Sequence, residues 1–349
     1  MKHQTTRYGE IPFYKIGTFG NTADAFISKK LFLEYKTKYS FPKKGDILIS
    51  ASGTIGRAVI YDGKPAYFQD SNIVWIDNDE TLVKNDFLFY AYSNVKWNTK
   101  HTTILRLYND NFRNTLIPLP PLNEQIAIAN ILSGLDRYLC ALRALILKKE
   151  SVKKALSFEL LSQRKRLKGF NQAWQRVRLG DIANYLTSNL SAEQITQQGK
   201  IKVYDVNNFI GYTDTTFISD KPYISIVKDG SVGRVRILPP KTNILSTMGA
   251  LIANHKTTTE FLFYLLSNFD FKNFTSGNII PHIYFKDYKE KTIFLPPLNE
   301  QSTIANILSA LDNEIASLKN KKRQFENIKK ALNHDLMSAK IRVLKKSVL

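Results

Sequence analysis

The sequence predicts an α/β (α+β) protein in which two mixed domains are separated by two long helices that pair as an antiparallel coiled coil. Three observations predict this architecture: the chain length, a near-identical internal repeat with helical spacing, and short apolar runs bounded by turn residues. At 349 residues the chain exceeds what one hydrophobic core usually supports. Hydrophobic residues make up 43% of the chain, which is enough to fill two packed cores.

The internal repeat is the strongest single signal. Residues 119–136 read LPPLNEQIAIANILSGLD, and 176 positions later residues 295–312 read LPPLNEQSTIANILSALD, with 15 identities in 18 positions. In each copy, polar and acidic residues follow the prolines directly, in a first helical turn where free backbone N–H groups favour them. The repeat therefore predicts a duplication in which each copy begins a helix.

Both helices continue with a heptad pattern, because apolar residues recur at alternating steps of four and three. Eight of ten seam positions are apolar in each copy, which predicts that the two helices pair with each other. The positions are Ile128, Leu132, Leu135, Leu139, Leu142, Ile146, Lys149, Lys153, Leu156 and Leu160 in the first copy, and Ile304, Leu308, Leu311, Ile315, Leu318, Lys322, Phe325, Lys329, Leu332 and Leu336 in the second. Lys153 and Lys329 share one seam position, which is expected to face solvent or a partner subunit. A simpler alternative is that each helix covers only its own domain.

The regions before the helices are rich in Tyr, Phe, Ile and Val and are interrupted by Gly and Asn turn signals. Runs such as residues 46–49 and 201–204 are typical of strands. We therefore divide the chain into a first domain (residues 1–116), a central helix (117–168), a second domain (169–292) and a C-terminal helix (293–349).

The charge balance favours an anionic partner. Lys and Arg number 50 against 30 Asp and Glu, a formal charge of +20. No stretch approaches the roughly 20 apolar residues of a membrane helix, and the N-terminus does not resemble a signal peptide. Nucleic acid is therefore favoured over a membrane. The single cysteine, Cys140, fits a reducing compartment, and the cytoplasm is expected.

Sequence motifs of common enzymes are not found. There is no phosphate-binding Gly-x-x-x-x-Gly-Lys loop, no Cys-x-x-Cys, no His-Glu-x-x-His and no Asn/Asp-Pro-Pro-Tyr/Phe methyltransferase motif. We therefore expect no catalytic residue, no cofactor site and no metal site in this chain. Asp24, Glu34 and Lys36 form a loose nuclease-like pattern, but the second half matches only its acid, with Asp214, so a metal-dependent nuclease is a remote alternative.

A Gly-Ser/Thr-x-Gly-Arg element occurs in both domains, at residues 53–57 and 230–234. Its glycines would let the backbone turn tightly near a phosphate, and Arg57 or Arg234 could reach a phosphate or a guanine edge. The alternative is a β-turn whose glycines only supply positive φ. The sequence leaves both interpretations open.

Two divergent domains, each followed by a near-identical helix that opens with Leu-Pro-Pro-Leu-Asn-Glu-Gln, resemble the specificity subunit of a type I restriction-modification system. The resemblance covers essentially the whole chain. Residues 117–125 and 294–301 carry it most specifically, supported by residues 230–234 and 280–282. It implies that each divergent domain is a target recognition domain reading one half of a bipartite, asymmetric DNA sequence. It also implies that the helices set the spacing between the halves and dock methylation subunits.

The resemblance further implies the partners: double-stranded DNA, two methylation subunits and, in the full complex, restriction subunits. S-adenosylmethionine would be bound by the methylation subunits, while ATP and Mg²⁺ would serve the restriction subunits. The candidate DNA contacts are Lys44, Arg57, Arg106 and Arg113 in the first domain and Lys228, Arg234, His282 and Lys286 in the second, each of which could instead be an ordinary exposed charge. An autonomous DNA-binding or scaffold protein and a truncated, inactive specificity subunit are the alternatives.

The first domain departs from the family pattern at its start. The second domain opens with residues 174–182, WQRVRLGDI, as domains of this family do, but no such segment precedes Ile11, the counterpart of Ile201. We therefore expect a first domain that is shortened at its N-terminal end.

Overall fold

The computed structural model describes residues 4–68, 72–97, 106–277 and 279–344. The chain divides into two compact units. Unit 1 contains Met1–Arg143 and Asn320–Leu349, and unit 2 contains Ala144–Lys319. The boundaries cut each long helix near its middle, so each helix contributes to both units. The alternative in which each helix covers only its own domain is therefore wrong.

Unit 1 contains two three-stranded sheets. Its strands are β1 (Ile11–Tyr14), β2 (Ala25–Ile27), β3 (Ile47–Ser50), β4 (Ala58–Ile60), β5 (Tyr67–Phe68) and β6 (Ile73–Ile76). Its helices are α1 (Lys29–Lys38), α2 (Asn85–Tyr92), α3 (Asn109–Arg113) and the first part of α4 (Leu122–Leu161). The strand orders are β2–β1–β5 and β4–β3–β6, and the central β3 is antiparallel to both neighbours. Because β3 is buried along its whole length, its continuous apolar run suits a strand covered on both faces.

Unit 2 repeats this plan with additional strands. They are β7 (Gln175–Arg178), β8 (Ala183–Thr187), β9 (Ile201–Tyr204), β10 (Phe209–Thr213), β11 (Tyr223–Val227), β12 (Val235–Leu238), β13 (Thr242–Ile244), β14 (Met248–Ala253), β15 (Thr275–Ser276), β16 (His282–Ile283) and β17 (Thr292–Leu295). Its helices are α5 (Thr259–Ser267), α6 (Phe285–Tyr288), the second part of α4 and the first part of α7 (Leu298–Met337). The main sheet has the order β12–β11–β14–β8 and is antiparallel throughout. Among the described strands of unit 1, none corresponds to β7, β8, β15, β16 or β17.

Within each unit, α4 and α7 run antiparallel. In unit 2, Lys149 Nζ lies 2.8 Å from Glu314 Oε1, and the later Lys153 pairs with the earlier Asp312. In unit 1, Lys329 Nζ lies 2.5 Å from Asp136 Oδ1. All twenty predicted seam positions are buried or half-buried. The predicted antiparallel heptad pairing is confirmed, and each 40-residue helix spans about 60 Å.

The seam lysines keep partial contact with solvent, and each also pairs with an aspartate of the facing helix. Lys153 is half-buried, 2.5 Å from Asp312 Oδ1 and 5.7 Å from the centroid of the Tyr264 ring, while the Tyr264 hydroxyl donates to Asp312 Oδ2 at 2.9 Å. Burial and this hydrogen bond raise the pKa of Tyr264 far above its usual value. Each lysine therefore lies at the helix seam of its unit, where a paired and partly exposed aspartate offsets its charge.

Unit 1 contains the equivalent cluster of a lysine, an aspartate and a tyrosine. Lys329 pairs with Asp136 and lies 5.6 Å from the centroid of the Tyr90 ring, and the Tyr90 hydroxyl donates to Asp136 Oδ2 at 2.8 Å. In both units the tyrosine belongs to the strand-rich domain and the ion pair to the helices. The cluster therefore fixes each domain to its helix pair.

The repeated Glu-Gln pair at each helix start is buried. Gln301 accepts from the Thr258 backbone N–H at 3.0 Å and donates to the Pro296 carbonyl at 2.8 Å, and Gln125 makes the equivalent bonds in unit 1. Glu300 accepts from Arg166, and Glu124 from Arg342. The near-identity of the two repeats therefore has a structural cause, since these side chains tie each helix start to the neighbouring chain.

Unit 1 is expected to lose stability in mild acid through Glu124. Hydrogen bonds from Arg342 hold the pKa of Glu124 below its usual value. A carboxylate with a lowered folded pKa contributes stability that is present above the unfolded pKa, about 4.3, and is lost as the pH falls through the folded value. The midpoint temperature of thermal unfolding should therefore fall more steeply below about pH 4.5 for the wild-type protein than for Glu124→Gln. Glu314→Gln, which removes a surface ion pair, is the control, and identical pH profiles for wild type and Glu124→Gln would contradict the assignment.

Candidate nucleic-acid interface

The Gly-x-x-Gly-Arg elements form the turns between β3 and β4 and between β11 and β12. All four glycines have positive φ: 69° at Gly53, 77° at Gly56, 82° at Gly230 and 79° at Gly233. Side chains other than glycine rarely adopt this conformation. The β-turn interpretation is therefore confirmed for the backbone, and it leaves the role of the arginines as a prediction.

The second glycine of each turn also meets an aromatic ring. A Cβ added at Gly56 would lie 2.2 Å from Trp97 Nε1, and one at Gly233 would lie 2.6 Å from Phe271 Cδ2. Gly230 has no atom within 4 Å of such a Cβ. The second glycine is thus required for packing as well as for backbone conformation.

A second chain segment lies against each turn in the same way. In unit 1, Arg106 forms an antiparallel bridge with Ser52, and in unit 2, His282 forms one with Asp229. Neighbouring backbone bonds match as well, since Leu107 N–H donates to the Ala51 carbonyl at 2.8 Å and Ile283 N–H to the Lys228 carbonyl at 2.9 Å. The structure therefore places two predicted contacts, Arg106 and His282, at equivalent positions.

In unit 2 the predicted residues of this segment lie together. His282 Nδ1 is 2.6 Å from Asp229 Oδ1, and its ring stacks at 6.5 Å on that of Tyr284. Lys286 Nζ lies 5.5 Å from the same tyrosine ring. His282, Tyr284 and Lys286 thus lie together beside the turn, with the Asp229 carboxylate among them.

A second basic pair lies at the start of β12, since Arg234 directly precedes this strand and Arg236 is its second residue. Arg234 Nη2 donates to Asn207 Oδ1 at 2.8 Å, and Arg236 Nη1 donates to the Asn207 carbonyl at 2.9 Å. The Arg236 guanidinium also lies 5.2 Å from the Tyr204 ring centroid. Sequence reasoning missed Arg236, Asn207 and Tyr284. The spacing of Arg234 and Arg236 was an available signal, because alternate residues of a strand share one face.

In unit 1 the predicted contacts are less concentrated. Arg57 Nη1 donates to the Phe19 carbonyl at 2.9 Å, so this side chain is already engaged within the fold. Lys44 is exposed just before β3, whereas the turn follows the other end of that strand, so the structure does not bring Lys44 to Arg57. Arg113 is exposed at the end of α3. None of these placements tests DNA contact, which stays a prediction for all eight residues.

The nuclease-like pattern has other partners in the structure. Asp24 forms an ion pair with Lys15 at 2.8 Å, and Lys36 lies 5.4 Å from the centroid of the Phe41 ring. Within residues 4–68, 72–97, 106–277 and 279–344, no group of three or more His, Cys, Asp or Glu side chains could hold a metal ion. In the same ranges, no helix is long and apolar enough to cross a membrane.

Known proteins resemble this chain over most of its length. Residues 1–150 and 171–327 match the family model described as the type I restriction modification DNA specificity domain. A putative type I restriction enzyme specificity subunit of Haemophilus influenzae is 64% identical over 137 residues, which is 39% of this chain and 36% of that protein. A putative type I restriction enzyme specificity subunit of Methanocaldococcus jannaschii is 29% identical over 335 residues, covering 86% of this chain and 79% of that protein.

A solved structure shows the same fold. The S subunit of a type I restriction-modification system from M. genitalium superimposes with a TM-score of 0.63 at 20% sequence identity, covering 97% of this chain and 91% of that chain. The family model matches both strand-rich domains and most of both long helices. The chain therefore belongs to the family of type I restriction-modification DNA specificity subunits.

Proposed function

We propose that this chain reads double-stranded DNA for a type I restriction-modification enzyme in the cytoplasm, each recognition domain reading one half of a bipartite, asymmetric target. One observation carries the proposal: the same turn with the same bridging segment occurs once in each unit, with different side chains on it. Arg106 and Ser52 stand in unit 1 where His282 and Asp229 stand in unit 2. Equivalent positions with different hydrogen-bonding groups suit two different half-sites, because base edges differ in their donors and acceptors.

The chemistry of these surfaces suits recognition rather than reaction. Arginine can bind phosphate oxygens or the O6 and N7 of guanine with two hydrogen bonds, and lysine supplies charge for phosphates. The +20 formal charge adds salt-dependent affinity that does not depend on sequence. In this proposal the chain contributes no catalytic group, and methyl transfer and cleavage take place on its partners.

The proposed partners are two methylation subunits and, in the full complex, restriction subunits. S-adenosylmethionine would then be bound by the methylation subunits, and ATP and Mg²⁺ by the restriction subunits. Several large apolar side chains on the long helices are exposed, and a contiguous apolar patch among them would suit docking of another subunit. They include Ile126, Leu147, Val152, Phe158 and Ile328.

Arg236→Ala is expected to weaken DNA binding. It should also reduce the salt slope, which is the slope of the logarithm of the binding constant against the logarithm of the salt concentration, by about one. Arg236→Lys should retain the salt slope, since the charge stays. Arg323→Ala, which removes an exposed arginine from α7, is the control and should leave both quantities unchanged. Titration of a labelled target duplex at several salt concentrations, with thermal unfolding of each variant, separates lost contact from lost stability. Equal affinities for wild type and Arg236→Ala would remove this residue from the proposed interface.

The helix pair is proposed to set the spacing between the two half-sites. Deleting residues 146–152 and 313–319 together removes one heptad from each helix. It removes both partners of the Lys149–Glu314 and Glu150–Lys319 ion pairs, so neither pair leaves an unpaired charge. Seven helical residues rise about 10 Å, which corresponds to about three base pairs along B-DNA. The deletion should shorten the unread gap or abolish recognition. An active variant with an unchanged gap, determined by methylation mapping, would contradict this role.

A further inference from the structure

Two adjacent isoleucines stand at the tip of the β15–β16 hairpin in unit 2. The structure describes this hairpin except for residue 278. Ile279 is 95% exposed, more than any other large apolar side chain described in unit 2, and Ile280 is 55% exposed. Turns normally carry Gly, Pro, Asn, Asp or Ser. Because residues that break a local rule are expected at functional sites, this tip is a candidate for contact with a ligand.

The backbone of the tip is held in place from both sides. Gly230 N–H donates to the Pro281 carbonyl at 2.9 Å, and Ile283, the last residue of the hairpin, is buried in the core of unit 2. At Gly277 φ is 92°, and an added Cβ would lie 2.3 Å from the Ile280 carbonyl oxygen, so the loop folds back tightly on itself. The isoleucines are thus displayed on an ordered backbone, which lowers the entropy cost of binding.

The tip lies beside the candidate nucleic-acid interface. The bond from Gly230 joins it to the glycine turn, and His282 follows the tip in the same hairpin. Lys286 Nζ lies 5.5 Å from the centroid of the Tyr284 ring, which stacks on His282. The Asp229 carboxylate of this region is paired with His282 at 2.6 Å. The two isoleucines therefore have basic and aromatic neighbours, which favour an anionic partner.

An apolar tip among basic side chains suits double-stranded DNA better than a protein surface. A stable protein interface buries roughly 800 Å² on each partner, far more than two isoleucine side chains offer. In DNA, by contrast, an apolar side chain can enter between two base pairs, partly unstack them and kink the duplex. The phosphates on either side of the opened step would then meet the basic neighbours of the tip.

We propose that Ile279 and Ile280 form an apolar wedge that enters one base step of the half-site read by unit 2 and bends the duplex there. This inference rests on the proposed function, since it concerns the same DNA. Because pyrimidine–purine steps such as TA and CA open most easily, the wedge adds specificity at a step that no hydrogen bond needs to read. Residues 103 and 104, the counterparts in unit 1, lie outside the described residues, so the wedge is assigned to unit 2 alone.

The test is binding of the full chain to the target duplex that methylation mapping identifies. Methylation subunits are omitted, so that only this chain can unstack a base. 2-Aminopurine, which fluoresces when it is unstacked, replaces one base at a time in both half-sites. The wild type should raise the fluorescence at one step of one half-site. Ile279→Ser/Ile280→Ser should abolish this rise and weaken binding by about tenfold, because apolar burial in the step is lost. Ile279→Leu/Ile280→Leu should retain both properties, since leucine is also apolar.

Leu186→Ser is the matched control, because Leu186 is an exposed apolar residue on β8 of the same unit. It should bind DNA and raise the fluorescence as the wild type does. All variants should unfold at nearly the same temperature, since the replaced side chains are largely exposed. A bound wild type that unstacks no base, or equal affinities of the wild type and the double serine variant, would overturn the wedge and leave the proposed function intact. Failure of the wild type to bind any duplex would overturn both.

Two further measurements test what the tip recognises. Replacing the opened step by AA, which stacks stiffly in A-tracts, should weaken binding of the wild type more than binding of Ile279→Ser/Ile280→Ser, because only the wild type opens the step. An equal effect on both proteins would overturn the added specificity. If the double serine variant binds DNA normally but no longer co-purifies with the methylation subunit, the tip contacts protein and the wedge is wrong.

Discussion

An Arg166→Met variant is expected to lose about 3–5 kcal/mol of unfolding free energy in unit 2. The Glu300 carboxylate is 0% exposed, accepts from Arg166 Nη2 at 2.8 Å and accepts from Trp174 Nε1 at 3.0 Å. Methionine retains the apolar stem of the arginine but removes its charge. Glu300 would then be a buried negative charge with one neutral donor, and leaving a buried charge uncompensated is among the most destabilising single changes.

Urea unfolding of purified variants measures this loss. Arg164→Met is the matched control, because Arg164 is exposed and lies over the Phe158 ring at 4.6 Å without an ion pair in the described structure. The double variant Arg166→Met/Glu300→Gln should recover part of the loss, since it removes both charges. If Arg166→Met costs no more than Arg164→Met, the ion pair does not stabilise the helix start.

Gly233→Ala is expected to destabilise unit 2 by about 2–5 kcal/mol, the sum of a backbone and a packing cost. Its φ of 79° is unfavourable for alanine, and the new Cβ would lie 2.6 Å from Phe271 Cδ2. Phe271 is buried and packs edge-on against Tyr288 at 5.3 Å, so its ring has little room to move. The turn would therefore open or shift, and the bridge to His282 would be lost with it.

Gly230→Ala separates the two costs. Gly230 has nearly the same φ, 82°, but no atom lies within 4 Å of an added Cβ. It should lose only the backbone cost, about 1–2 kcal/mol. Differential scanning calorimetry should thus show a clearly larger loss for Gly233→Ala. Equal losses in the two variants would mean that Phe271 does not hold the turn.

The sequence predicted the helix pair well because its signal is long and repeated. Fifteen identities in 18 positions and a heptad seam in each copy were enough to predict that the two helices pair. The role of the seam lysines was beyond sequence reasoning, since their partners Asp136 and Asp312 lie far away in the chain. The buried Glu124 and Glu300 were likewise interpreted as first-turn acids. A signal did exist, because Arg166 and Arg342 share the 176-residue offset of the two glutamates.

The candidate interface was predictable only in part. The glycine turns were found because duplication left them recognisable in otherwise divergent domains. Lys44 was chosen for its charge, and charge alone says nothing about which end of β3 a residue occupies. Arg236 was missed because strand alternation was not applied to the residues after the turn.

We propose that the two recognition domains of this chain each read one half of a split DNA target. The most direct test is to co-express the chain with the methylation subunit from the same source and to map adenine methylation in the host genome at single-base resolution. We expect one bipartite, asymmetric motif for the wild type, and for Arg236→Ala a motif relaxed in one half only. A symmetric motif, a change in both halves, or no complex with the methylation subunit would contradict it.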